Sequence, residues 1–185
     1  MMKSKLLLHS CCAPCSSAVL ERLADEFSIT IYYYNPNIDT PLEFMRRNEE
    51  IAKLNVLGIE FDVITEEYNP DEYDEAVKGL EDLGEGSQRC YECYKLRMQK
   101  TAKYATNHGF DVFATTLSVS PHKKSNWIHE IGKQCQDEFG VKYLDEDFKK
   151  KDGYKRSLEL SHELDLYRQN YCGCKYSKAE RNANK

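Results

Sequence analysis

The chain has 185 residues, eight cysteines, 31% charged residues and a formal charge of −5. That length suits one α/β domain over 1–185 with a real core, and no apolar run approaches the roughly 20 residues of a membrane-spanning helix. With an opening apolar run of about three leucines in place of a secretory signal, the protein is expected in the cytoplasm, where cysteines serve metal or redox chemistry rather than a disulfide framework.

Lys5 to His9 reads as a buried strand, and Ser16 to Phe27 as a helix with Val19, Leu20, Leu23, Ala24 and Phe27 on one face. Ile29 to Tyr34 is β-branched and aromatic, and Asn35-Pro36-Asn37 stops it. Within it, alternation sends Tyr33 to the face opposite Tyr32 and Tyr34. Pro41 opens a helix to about Leu57, closed by Gly58, and Glu60 to Ile64 is a third strand. Residues 66–88 are acidic and glycine-bearing, and read as a long loop with one short helix. A helix from about Tyr91 to Asn107 turns Tyr94, Met98, Thr101, Ala102 and Ala105 inward, with Gly109 beyond its end. Phe110 to Thr116 is a fourth strand. Trp127, Ile128, Ile131 and Cys135 mark a helix, and Val141 to Leu144 a fifth strand. After Asp147 a polar tail carries one modest helix, Ser157 to Leu164, and ends in a cysteine pair.

Strands alternating with helices predict a doubly wound, mostly parallel, Rossmann-like sheet of about five strands with helices on both faces, plus a C-terminal cysteine-bearing tail. The segment 147–185 is expected to complete the functional site.

Seven cysteines fall into three clusters: Cys11, Cys12 and Cys15; Cys90 and Cys93; Cys172 and Cys174. The first follows the carboxyl end of the first strand, where open α/β sheets place their ligand crevice. Thiolates ligate zinc or build iron-sulfur sites. Seven exceed one four-sulfur site, and the side chains of adjacent Cys11 and Cys12 are expected to diverge too much for an ordinary zinc knuckle. The surplus implies a cluster plus a second metal, or a cluster plus redox thiols. Cys135, on an inner helix face, reads as a small core hydrophobe. The first loop, Cys-Cys-Ala-Pro-Cys, has no glycine for close approach to phosphate, which disfavours ATP.

The motifs HSCCAPC, YYYNPNI, RCYECYKLR, TTLSVSPHK, DFKKKDGYKRS and LYRQNYCGC resemble, in order, those of the cobalamin-independent epoxyqueuosine reductase family called QueH, over nearly the whole chain. The resemblance implies the last step of queuosine biosynthesis: the epoxide of epoxyqueuosine at the wobble position of tRNA is reduced to the alkene of queuosine. It also implies a 4Fe-4S cluster with one additional iron ion, and an external electron donor. Carried over, the ligands are Cys11, Cys12, Cys90, Cys93, Cys172 and Cys174. Cys15 is left as ligand, redox thiol or bystander, and the division between cluster and lone iron is open.

Such a reaction needs a proton donor, for which His9, His122 and Tyr154 are candidates. Residues 1–119 balance to −8 and 120–185 to +3. The basic run of Lys149, Lys150, Lys151, Lys155 and Arg156 therefore reads as a phosphate contact for tRNA, diluted by Asp145, Glu146, Asp147 and Asp152. Arg168 joins as a substrate contact, and Tyr154, Tyr167 and Tyr171 either stack on unpaired bases or pack the tail. Asn35, Asn37, Thr115 and Thr116, at strand ends, either bind substrate or cap local structure. Two rivals remain: an iron-sulfur enzyme of tRNA thiolation or desulfuration, and a zinc-stabilised RNA-binding module.

Overall fold

Leu6, Leu7 and Leu8 are each fully buried, which a strand achieves only when both of its faces are covered. In the computed structural model, which describes residues 3–183, these leucines lie in β1 (Ser4–His9) at the centre of a sheet. β2 (Phe27–Tyr33), β3 (Phe61–Thr65), β4 (Val112–Thr115) and β5 (Lys142–Tyr143) complete it. All pairings are parallel, in the order β3-β2-β1-β4-β5.

Alternation sorts the core into two halves. Leu6, Leu8, Ile31 and Tyr33 pack on one face against Val19, Leu20 and Leu23 of α1 (Ala13–Leu23). Phe44 of α2 (Pro41–Glu49) and Leu54 of the following 3-10 segment (Glu50–Leu57) join them, and α6 (Gly153–Glu163) lies on α1. Leu7, Tyr32 and Phe113 face the other way. There they meet Tyr94, Met98, Ala102 and Ala105 of α4 (Gln88–Asn107) and Ile128, Ile131 and Cys135 of α5 (Ser125–Phe139). Tyr33 thus points away from Tyr32 and Tyr34, as the strand period requires, and Cys135 is core.

The expected doubly wound fold is present, with differences at helix ends. α1 starts at Ala13 rather than Ser16, because Pro14 in the first turn needs no hydrogen-bond partner for its missing N–H, and Phe27 opens β2 instead of closing the helix. The helix expected to run to Leu57 tightens into 3-10 geometry after Glu49, and Gly58 closes it in the left-handed region. The acidic loop holds α3 (Pro70–Ala76), capped by the Asn69 side chain. α7 (Lys175–Ala183) was not expected. It is polar, with Ser177 its buried residue, so no apolar stripe announces it.

The chain runs outward from β1 to β2 and β3 in one direction, and returns through α4 to β4 and β5 in the other. The reversal opens a crevice between the carboxyl ends of β1 and β4. Before α6 the backbone takes positive φ at Lys151 and Asp152. Gly153 then passes so close to the Phe148 carbonyl oxygen that a Cβ would overlap it. Gly153→Ala is expected to cost at least about 1–3 kcal/mol, as overpacking does, read as a lower urea midpoint with unchanged slope.

Candidate metal centre

Beyond His9 the chain bends at Cys11, and α1 starts at once, leaving Cys15 on its first turn. The three Sγ atoms of Cys11, Cys12 and Cys15 lie within 4.8 Å of one another, with Cys11 and Cys12 at 3.8 Å. The adjacent side chains therefore converge rather than diverge, because the strand-to-helix turn falls between them. Thr116, in the 3-10 turn (Thr116–Val119) that follows β4, accepts from the Cys11 N–H at 3.2 Å and donates to Cys11 Sγ at 3.5 Å. Hydrogen bonds from Cys12 and then Cys15 hold the Cys11 thiol well below its usual range, with the Lys123 charge assisting. Cys12, the donor to that sulfur, is correspondingly pushed up to about 11.

The other four cysteines line a second pocket. Cys90 and Cys93, on the first turns of α4, line a small enclosed pocket with Cys172, Cys174, Tyr73 and Tyr94. Tyr73, Val77, Cys93 and Cys174 form a local apolar cluster that shields it. The C-terminal pair is held in place by backbone contacts. Gly173 O accepts from Asp39 N at 2.9 Å, and Cys172 O from Arg47 Nη1 at 3.2 Å. Gly173 has φ +134°, and a Cβ there would press on Arg47 Nη1 at 2.9 Å, so a larger residue would displace the strap. α7 is then seated by Arg89 on Glu180 at 2.9 Å and Lys178 on Asp39 at 2.6 Å.

Cys172 belongs to both walls: it lines the small pocket and also a cavity of about 740 Å³ shared with Cys11, Cys12 and Cys15. All eight cysteines are free thiols. Three sulfurs within one ion's reach and four around a second pocket fit thiophilic metal, the first as a site with an open position and the second as a four-ligand site.

The expected non-cysteine residues divide. His122, Tyr154 and Arg168 line the cavity. His9 does not: it is fully buried, with Nδ1 on Thr115 Oγ1 at 2.9 Å and Nε2 on the Tyr34 carbonyl at 3.0 Å. Burial, then the nearby Arg97 charge, push it down to about 4, so it stays neutral and braces the strand ends. Thr115 also caps the turn after β4 through Leu117 N, and Asn35 donates to the Ser10 carbonyl at 2.8 Å. These residues, with Thr116, hold the cysteine loop instead of facing the cavity. Asn37 lines the thiol pocket, with its buried Oδ1 unpartnered.

The basic run points elsewhere. Arg156 is spent on Glu21 at 2.8 Å, Glu163 at 3.2 Å and Glu159 at 3.3 Å. Lys151 approaches Glu146 at 3.9 Å, and Lys150 and Lys155 are exposed outside the cavity wall. Of the tail tyrosines, Tyr171 and Tyr167 bond to Asp39 and Glu43, respectively, and Tyr171 also lines the cavity with Tyr154. The cations that do face the cavity are Arg97, Lys123, Arg168 and Arg181. Arg97 was legible as a charge on an inward helix position, three residues after Tyr94 and four before Thr101. Lys123 had no such signal.

A family model described as epoxyqueuosine reductase QueH matches residues 6–180. A Streptococcus pyogenes protein named epoxyqueuosine reductase QueH is 42% identical over 181 residues, covering 95% of this chain and 71% of that one. A Thermotoga maritima protein of the same name is 39% identical, covering 95% and 91%. Among solved structures, the U34-tRNA thiolase NcsA of Methanococcus maripaludis, described with its [4Fe-4S] cluster, shares the fold at TM-score 0.56 and 14% identity, covering 96% of this chain and 62% of that one. A predicted subunit of a tRNA methyltransferase from Methanocaldococcus jannaschii shares it at TM-score 0.52 and 15% identity, covering 85% and 76%. With the family model spanning nearly all of the described fold and all seven of its clustered thiols, the chain belongs to the epoxyqueuosine reductase QueH family.

Proposed function

We propose that this chain removes the epoxide oxygen of epoxyqueuosine in tRNA, leaving the alkene of queuosine, with Cys90, Cys93, Cys172 and Cys174 holding a 4Fe-4S cluster and Cys11, Cys12 and Cys15 a single iron. The observation that carries this reading is that seven thiols from three remote segments line two pockets that share Cys172. The C-terminal segment completes the site. The balance is epoxide plus two electrons and two protons giving alkene and water, with the electrons from an external one-electron donor. When bound, such a centre supplies electrons singly and a Lewis-acidic metal next to the oxygen.

The remaining work falls to the protein. A cavity of about 740 Å³ has room for a modified base. Lys123 and Arg97 line it without a carboxylate partner among the described residues, so both charges are free to stabilise an oxygen that gains negative charge as its bond breaks. His122 and Tyr154 lie on the wall as proton donors, and Arg168 and Arg181 stand ready for phosphate. His9 is a brace in this scheme. Tyrosine packing and the paired Arg156 leave the run from Lys149 to Arg156 a lesser role in RNA binding.

Purified and reconstituted without oxygen, the protein is expected to convert epoxyqueuosine tRNA to queuosine tRNA without cobalamin. Failure to do so, with change of a thiolated tRNA instead, would favour the thiolation reading, and a colourless protein with stoichiometric zinc the binding-module reading. Cys93→Ser should lose more than the 10–100-fold typical of outer-shell changes, whereas Cys135→Ser should keep iron and turnover and cost about 1–3 kcal/mol for its buried hydroxyl. Iron and sulfide analysis tests the division of ligands: Cys12→Ser should lose iron but keep acid-labile sulfide, and Cys172→Ser should lose sulfide.

A further inference from the structure

Arg97 is 2% exposed. Its Nε donates to the Cys93 carbonyl at 3.1 Å and its Nη2 to Cys93 Sγ at 3.3 Å. The same guanidinium lines the large cavity with Cys11, Cys12 and Cys15, so it stands between the two thiol groups. Two other buried arginines each have a carboxylate, Arg47 on Glu43 at 2.6 Å and Arg89 on Glu180 at 2.9 Å. Arg97 has none among the described residues.

A buried cation without an anion costs several kcal/mol, and an inert helix position would be filled more cheaply by leucine or methionine. Its outer nitrogen meets the sulfur of Cys93, and the cavity it lines carries Cys11, Cys12, Cys15 and Cys172. The partner that justifies the charge is therefore the sulfur-bound centre itself.

We propose that Arg97 is a positioning residue that raises the reduction potential of the centre held at Cys93, through its N–H donation to the ligand sulfur and its buried positive charge. Reduction adds negative charge to the sulfurs. A donor and a cation at 3.3 Å stabilise the reduced form more than the oxidised one, and hydrogen bonds to ligand sulfurs are among the determinants of such potentials. A second consequence follows from the neighbouring cavity: the charge that favours loading of an electron also faces the place where the substrate oxygen departs.

The inference rests on the assignment of a cluster to the Cys90, Cys93, Cys172 and Cys174 group, and its test separates the two. Wild type, Arg97→Lys and Arg97→Gln are reconstituted without oxygen, assayed for iron and sulfide, and titrated potentiometrically with the reduced cluster followed by electron paramagnetic resonance. The expected result is wild-type iron and sulfide with a more negative midpoint in Arg97→Gln, and a smaller negative shift in Arg97→Lys, which keeps the charge but not the planar fork. Midpoints equal to wild type in both loaded variants overturn the role of Arg97 and leave the cluster assignment standing. Loss of the cluster from both variants also overturns it, since the residue would then serve assembly. A wild type without iron and sulfide overturns the cluster assignment and this inference together.

Discussion

The contact on which the site depends is the grip of Arg47 on the C-terminal strap. Its Nε pairs with Glu43 at 2.6 Å while Nη1 holds the Cys172 carbonyl at 3.2 Å, and the side chain itself is buried. Gly173 fits beneath it because a Cβ would not. That grip joins α2, on one side of the sheet, to the last cysteines of the chain. Together with the Asp39 N–H on the Gly173 carbonyl and the Arg89–Glu180 pair, it sets the sulfurs of 172 and 174 against those on α4. Charge-assisted hydrogen bonds of this kind are short and directional, which suits a strap with little apolar surface of its own.

Around that constraint, cationic side chains border the thiols. Arg97 and Lys123 border the thiols without carboxylates, and Thr116 donates to Cys11. A further layer, His9, Thr115 and Asn35, is neutral and ties the strand ends to one another. The division is physical. Charges sit on the cavity wall beside the thiols, and neutral donors and acceptors sit where the backbone must be held still.

Much of this was legible in the sequence, and the failures have causes. Strand alternation and the contiguous apolar run Leu6-Leu7-Leu8 gave the two-faced sheet, and the same period set Tyr33 apart from Tyr32 and Tyr34. The cysteine clusters marked the residues that the fold brings to two pockets sharing Cys172. α7 was missed because its helix is stabilised by docking, through Glu180 and Lys178, rather than by an apolar stripe. Charge density along the run from Lys149 to Arg156 says nothing about pairing in space, and Arg156 is met there by Glu21, 135 residues away in sequence. His9 is a second case: adjacency to a cysteine loop is not exposure to its cavity. Lys123 lay in a motif whose spacing carried no burial signal, so only the fold could set it beside Cys11 and Cys172.

The order of the cysteines along the chain also bears on how the protein is made. Residues 90 and 93 are synthesised long before residues 172 and 174, and the strap that unites them is pinned by Arg47, Asp39 and the docking of α7. On the ribosome, the four sulfurs around the small pocket cannot meet until Cys174 has left the exit tunnel. Until then Cys90 and Cys93 stand without the two partners that close their pocket.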